Sequence, residues 1–261
     1  MRVLAALLLA LAALPVAARG IVTLDTRPGV RISYFITGME GVAPKAIALM
    51  LIGGGGNIHL REEGGKVKFG AQNFLPRSRQ EFIARGIQPV ILDNPTDQQG
   101  SEGMSDAFRE SEAHGTDLRA VVADVKQRLP GLPVFLVTTS RSTISGAYQA
   151  RALGGELAGL VLSSSLFRGR GAPELAVFDF SAIKIPLLFV HNRQDACPAT
   201  PYFDAARLGE HYTLVSVTGG KPPETGPCDP LSAHGYYGKE AETVAAIVAW
   251  MLGQPYPKDI R

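Results

Sequence analysis

The chain has 261 residues, 46% of them hydrophobic, enough for a sizeable core and too apolar for wholesale disorder or a disulfide-built mini-protein. With 26 Lys and Arg against 24 Asp and Glu the net charge is +2, and no basic run supplies the footprint of a nucleic-acid binder. The 2 cysteines cannot build a four-cysteine zinc site, and no Cys or His pair has finger spacing, which argues against structural zinc.

Arg2 gives a positive start to an uninterrupted apolar run over residues 3–14. Pro15 breaks the run before the small residues Val16, Ala17 and Ala18, ahead of Arg19. This is the pattern of an export signal over residues 1–18, leaving one mature domain over 19–261. An uncleaved anchor and a buried first helix are the alternatives. About a dozen apolar residues are too few to cross a bilayer core of roughly 30 Å as a helix. No second long apolar stretch follows, so the expected location is periplasmic or secreted, with no membrane span in the mature chain.

Beyond residue 20, strands and helices alternate. Residues 21–24 and 30–36 flank the turn Arg27-Pro28-Gly29 and read as a hairpin. The apolar run 46–52 ends in four glycines, as in a strand buried on both faces. A helix over 74–85 is stopped by Gly86, and 89–92 forms the next buried strand. Leu118, Val121, Val122, Val125 and Leu129 share one face of a helix that ends at Pro130-Gly131. Strands at 134–137, 159–162, 187–190 and 213–217 follow, with helices at 144–153 and around Val244, Ile247, Val248 and Met251. This order predicts an α/β protein: a mostly parallel sheet covered by helices on both faces.

The stretch from Val134 to Gly146 runs a buried strand directly into a helix, with a serine at the turn. It resembles the nucleophile elbow of the α/β-hydrolase superfamily, G-x-S-x-G, with Thr138 and Ser142 in place of the two glycines. That turn demands small side chains two places either side of the nucleophile. Centring on Ser140 satisfies the demand, whereas centring on Ser142 would put the β-branched Ile144 at the tightest point. A Ser/Thr-rich junction that merely caps a helix is the alternative.

The resemblance extends to the expected partners. Asp195 follows the strand at 187–190, the style of the superfamily's acid, though it is also placed to cap a helix beginning near Thr200. His234 lies in the loop before the last helix, where the superfamily keeps its histidine. The chain order Ser140, Asp195, His234 matches the order of that fold. In these roles His234 is the base that activates the weakly nucleophilic serine, and Asp195 holds the imidazole tautomer. The glycines after the strand at 46–52 sit where esterases and lipases keep an HGGG-type oxyanion loop, with Ile52 at the histidine position. Gly54, Gly55 and the amide of Arg141 are the expected oxyanion donors. A phosphate-binding reading of these glycines fails, because Leu60 and Val67 occupy P-loop positions and Ile58 the third glycine of G-x-G-x-x-G.

If the acid and histidine loops converge as in that superfamily, Cys197 and Cys228 flank them and are expected to form a disulfide, two free buried thiols being the alternative. His191 is expected to be packed, and His59 and His114 either border the pocket or are surface residues. The Arg141 side chain either pairs with an acid to brace the elbow or binds an anionic group. The segment 167–183 is too short for a multi-helix cap, leaving stretches 57–70 and 94–113 as walls of an open site.

The resemblance therefore implies a single-domain α/β-hydrolase without a large cap. Its implied activity is that of a serine hydrolase cleaving a carboxylic ester or related acyl bond of a small molecule, with neither cofactor nor metal. An amidase or peptidase differs only in leaving group, and a non-catalytic ligand-binding module on the same scaffold is the other alternative.

Overall fold

Asp25, Arg27 and Val30 turn the chain back on itself through Gly29, whose φ of 71° suits only glycine comfortably, so the N-terminal segment forms the predicted hairpin. A computed structural model describes residues 20–261 apart from 38–41, 71 and 170–174; the predicted export signal lies outside the described residues. The hairpin comprises β1 (Gly20–Arg27) and β2 (Val30–Ile36). After it come β3 (Ala46–Leu51), the short exposed pair β4 (Arg61–Glu63) and β5 (Lys66–Lys68), then α1 (Phe74–Arg77), α2 (Arg79–Ala84) and β6 (Ile87–Leu92). Helices α3 (Asp106–Glu110) and α4 (Glu112–Arg128) lead to β7 (Val134–Thr139), α5 (Ser142–Leu153) and β8 (Gly159–Ser163). The chain ends with β9 (Leu187–Asn192), α6 (Tyr202–Leu208), β10 (Thr213–Val217), α7 (Glu240–Met251) and β11 (Asp259–Ile260).

The main sheet has nine strands in the order β1-β2-β6-β3-β7-β8-β9-β10-β11. Pairing is antiparallel from β1 to β2 and from β2 to β6, and parallel at every other step. The parallel strands β3, β6, β7 and β9 are buried along their whole length, which explains their continuous apolar runs.

Alternate strand residues feed two cores. Ile47, Leu49, Leu136, Leu160, Leu162 and Phe189 pack with Leu118, Val122 and Val125 of α4 and Ala147 and Ala150 of α5. Ala48, Met50, Phe135, Val137, Leu188 and Val190 pack with Phe74 and Phe82 and with Val244, Ile247 and Met251 of α7. Helices thus cover both faces, as the alternation of elements requires. Among the described residues, no helix is long and apolar enough to cross a membrane.

Two features depart from the sequence pattern. The helix expected over 74–85 is broken at Ser78, whose ψ of 5° lies outside the helical region; the apolar spacing carries no sign of the break. The stretch 57–70 contains the β4–β5 hairpin, closed by Gly64 and Gly65 at φ 59° and 70°. Between β8 and β9 the described residues form only two single-turn 3-10 helices, Leu175–Val177 and Phe180–Ala182, so no multi-helix cap is built there.

The winding direction fixes where a site can form. From β3 the chain steps outward to β6, then crosses back over β3 to β7 and continues the other way. The carboxyl ends of β3 and β7 therefore sit side by side at the switch point, where open α/β sheets leave a crevice.

The helix following β7 lies unusually close to the sheet. A β-carbon on Gly146 would come within 2.8 Å of Thr138 Oγ1 and 2.9 Å of Leu162 Cδ2. Gly146→Val is expected to lower stability by about 1–3 kcal/mol through overpacking, read as a lower urea midpoint; an unchanged midpoint would show that α5 can move away freely.

Candidate active site

Ser140 follows β7 immediately and precedes α5 by one residue, so the chain must reverse its direction almost within one residue. It does so with Ser140 at φ 55°, the left-handed region that L-residues avoid. Neighbouring groups hold it there. The Ser140 amide donates to Ser163 O at 2.9 Å, and the amide and hydroxyl of Thr143 both donate to Ser140 O. Ser142 is fully buried; its hydroxyl binds the carbonyls of Leu51 and Thr139 at 2.8 Å and accepts from the Thr139 amide at 3.0 Å. It is structural, and only Ser140 of the two serines faces the cavity.

Thr138, two places before Ser140, fits this tight turn for a local reason. Thr138 Oγ1 is satisfied by Val161 O at 3.0 Å, and the space its side chain needs against α5 is supplied by Gly146, one helical turn beyond Ser142. Gly146 thereby keeps α5 close to the end of β7.

His234 sits on a single 3-10 turn, Ala233–Gly235, within a tightly tied loop. A β-carbon on Gly235 would lie 1.9 Å from Pro230 O, so the turn closes only on glycine. The Ser164 hydroxyl donates to His234 O at 2.8 Å, and Arg77 donates to Gly235 O at 2.7 Å. The buried Tyr236 hydroxyl, its ionisation opposed by desolvation, donates to Val190 O at 2.7 Å. The histidine ring is thereby placed between two groups from distant parts of the chain. His234 Nε2 lies 2.9 Å from Ser140 Oγ, and Nδ1 lies 3.0 Å from Asp195 Oδ2.

Asp195 is held as firmly. Its Oδ1 accepts from the Cys197 amide at 3.0 Å, and its Oδ2 accepts from the Thr200 hydroxyl at 2.8 Å as well as facing His234. Thr200 is fully buried and also lies 3.2 Å from His234 Nδ1, which makes it a third member of this pair that the sequence did not single out. Its position five residues beyond Asp195 was legible only as a helix start.

Ser140, Arg141 and His234 line a cavity of about 630 Å³, together with Gly53 to Gly56. Its remaining walls come from the two stretches expected to supply them, through Asn57, His59, Gln99, Gly100 and Ser101, and from Gln72, Asn73, Phe74 and the loop 228–230. Of the four glycines, Gly53 presses directly on the elbow: a β-carbon there would lie 2.9 Å from Ser140 Cβ and 3.0 Å from Thr139 O. Gly54 has φ 64°, and Gly55 packs against Glu102 O. The amides of Gly54, Gly55 and Arg141 donate no hydrogen bond among the described residues, leaving them available to a bound oxygen. The Arg141 side chain pairs with Asp106, Nε to Oδ1 at 2.6 Å, in the bracing arrangement.

The other histidines divide. His59 lines the cavity at φ 52°. His114 does not border it: the ring is buried on α4 with both nitrogens unpartnered, and burial pushes its pKa down to about 3. His191, inside β9, stacks on Phe167 and accepts from the Ser165 amide at 2.6 Å; burial pushes its pKa down to about 4. Cys197 and Cys228 form a disulfide that joins the acid loop to the histidine loop. Among the described residues, no group of three or more His, Cys, Asp or Glu is arranged to hold a metal ion.

No protein-family model matches the chain, and no curated protein matches it in sequence. Solved structures do match it. Est1E from Butyrivibrio proteoclasticus, which has also been solved with ferulic acid bound, superimposes with a TM-score of 0.63 at 14% identity, covering 90% of this chain and 98% of that one. An α/β serine hydrolase without a lid from Xanthomonas campestris gives 0.57 at 16% identity, covering 90% and 93%. An α/β serine hydrolase homologue from Coxiella burnetii gives 0.56 at 13%, covering 89% and 95%. At these identities the likeness establishes the fold, which is that of the α/β-hydrolases.

The disulfide spans 31 positions, a separation worth about 3–4 kcal/mol in the chain-entropy model. A Cys197→Ser/Cys228→Ser double variant is expected to lose stability of that order in urea unfolding; an unchanged midpoint would contradict the tether. The buried histidines predict an acid-sensitive fold. The unfolded chain takes up their protons near pH 6.5 and the folded chain does not, so the stability they contribute is complete above about pH 6.5 and is lost as pH falls towards 4. His191→Gln, which keeps an acceptor for Ser165, is expected to flatten the fall of Tm between pH 7 and 5; an equally steep fall would contradict this origin.

Proposed function

We propose that this chain is an exported serine hydrolase that cleaves a carboxylic ester or related acyl bond of a small molecule through an acyl-enzyme, with residues 1–18 as its export signal and 19–261 as the hydrolase unit. The observation that carries this reading is the continuous line from Ser140 Oγ to His234 Nε2 at 2.9 Å and from His234 Nδ1 to Asp195 Oδ2 at 3.0 Å. The disulfide supports an oxidising compartment outside the cytoplasm.

The chemistry follows from proton positions. Asp195 beside Nδ1 favours the tautomer that carries its proton there, which leaves Nε2 free to accept. As Ser140 Oγ attacks the carbonyl carbon, its proton passes to Nε2 and the carbonyl π electrons move onto oxygen. The negative oxygen is met by the free amides of the glycine turn and of Arg141. Collapse of the tetrahedral intermediate breaks the bond to the leaving oxygen, which takes the proton from His234 and departs as an alcohol. Water then repeats the sequence on the acyl-enzyme, giving a carboxylic acid and restoring Ser140. An amide or peptide substrate would change only the departing group.

The cavity is lined mostly by glycine backbone and by polar side chains, among them Asn57, Gln72, Gln99, Ser101 and Asp229, with Phe74, Cys228 and Pro230 its only apolar side chains among the described residues. Such walls favour a short acyl group over a long aliphatic chain. Among p-nitrophenyl esters, acetate is expected to outpace dodecanoate in kcat/KM. Ser140→Ala is expected to lower kcat at least about a thousandfold and to abolish labelling by a fluorophosphonate, whereas Ser142→Ala still labels. Labelling that survives in Ser140→Ala but is lost in Ser142→Ala overturns the assignment of the nucleophile. A folded wild-type protein that neither labels nor turns over any ester points to a binding module.

A further inference from the structure

The largest fully buried side chain among the described residues is a cation. Arg109, on α3, has 0% exposure and no ion-pair partner among the described residues, since the nearby Asp106 is engaged by Arg141. Burial and the neighbouring Arg141 push its pKa down to about 9, which leaves it protonated at neutral pH. A buried, uncompensated charge is costly to any fold, and proteins rarely keep one without a use.

Its contacts show what it touches. Nη2 donates to the carbonyl of Gly54 at 2.9 Å, Nη1 donates to Ser145 Oγ on α5 at 3.3 Å, and Nε has no partner. The guanidinium therefore bridges the glycine turn and the helix that begins at the elbow. The same turn is held from a second side, where Met104 N and Asn94 Nδ2 both donate to Gly55 O at 2.9 Å. A trans peptide points its C=O and N–H in opposite directions. Fixing the Gly54 carbonyl against Arg109 thus turns the Gly55 amide away from Arg109, and that amide is otherwise unused among the described residues. A cation on the oxygen end of a peptide also polarises the unit and strengthens its N–H as a donor.

We infer that Arg109 is a positioning residue for acyl transfer: by a charge-assisted hydrogen bond to the Gly54 carbonyl it locks and polarises the glycine turn that receives the oxyanion formed at Ser140. This rests on the acyl-transfer reading of Ser140, His234 and Asp195. The residue touches no substrate and works only through the Gly54–Gly55 peptide, so its effect belongs to the transition state and not to substrate capture.

Arg109→Met, similar in length and uncharged, is expected to lower kcat on p-nitrophenyl acetate about tenfold or more while KM stays within about threefold. Its urea midpoint is expected to be unchanged or raised, because an unpaired buried charge has been removed. A purely structural role would lower the midpoint. If Arg109→Met does not fold, Arg109→Gln is read by the same criterion. A kcat within twofold of wild type, or a loss confined to KM, overturns the role of Arg109. Wild-type turnover that Ser140→Ala abolishes, combined with an unimpaired Arg109→Met, removes this inference alone; a wild-type protein without turnover removes the underlying reading with it.

Discussion

Gly53 lies so close to the elbow that any β-carbon at that position would sit 2.9 Å from the β-carbon of Ser140. The rest of the site depends on this contact between the ends of β3 and β7. The sheet reverses its winding between these strands, so the chains leaving their carboxyl ends diverge and open a crevice there. A serine raised on a strained turn at one end and the run of glycines at the other then border the same cavity. The strain of φ 55° at Ser140 is maintained by its neighbours, chiefly the Ser163 carbonyl and the two donors of Thr143.

Around that contact the protein invests heavily in fixed polar groups. Asp93 accepts the amides of Ile58, Leu60 and Asn94, Asn94 and Met104 hold Gly55, and Arg109 holds Gly54. On the opposite wall, Thr200 and the Cys197 amide fix the Asp195 carboxylate, while Ser164 and Arg77 fix the turn carrying His234. Loops of this composition are mobile when left to themselves. Here each is tied to a strand end, a helix or the disulfide, which is the preorganisation that charge-stabilising chemistry needs.

Much of this was legible in the sequence, and the reasons are physical. Continuous apolar runs closed by glycine or proline marked the buried strands, so the α/β alternation and the sheet's parallel centre could be read directly. Crowding at the elbow selected Ser140 over Ser142, and the structure shows Ser142 buried and bonded to backbone. What escaped were features set by tertiary contact. Arg109 stands in a polar stretch on a helix of only five residues, where nothing in the spacing marks a buried side chain. Thr200 reaches Asp195 only because the loop between them turns back on itself. Gly53 was passed over for its neighbours because a run of four glycines does not reveal which one meets the serine. The β4–β5 hairpin had a signal, Gly64-Gly65 between two short charged segments, but its strands are too polar to show a period.

The account stands or falls on whether a tetrahedral, negatively charged adduct forms where these groups converge. A crystal structure of the protein after reaction with a fluorophosphonate tests this most directly. The account predicts phosphorus bonded to Ser140 Oγ, with a phosphoryl oxygen about 3 Å from the Arg141 amide and from an amide of the glycine turn. Phosphorus on another residue, or a phosphoryl oxygen turned away from both amides, would contradict it.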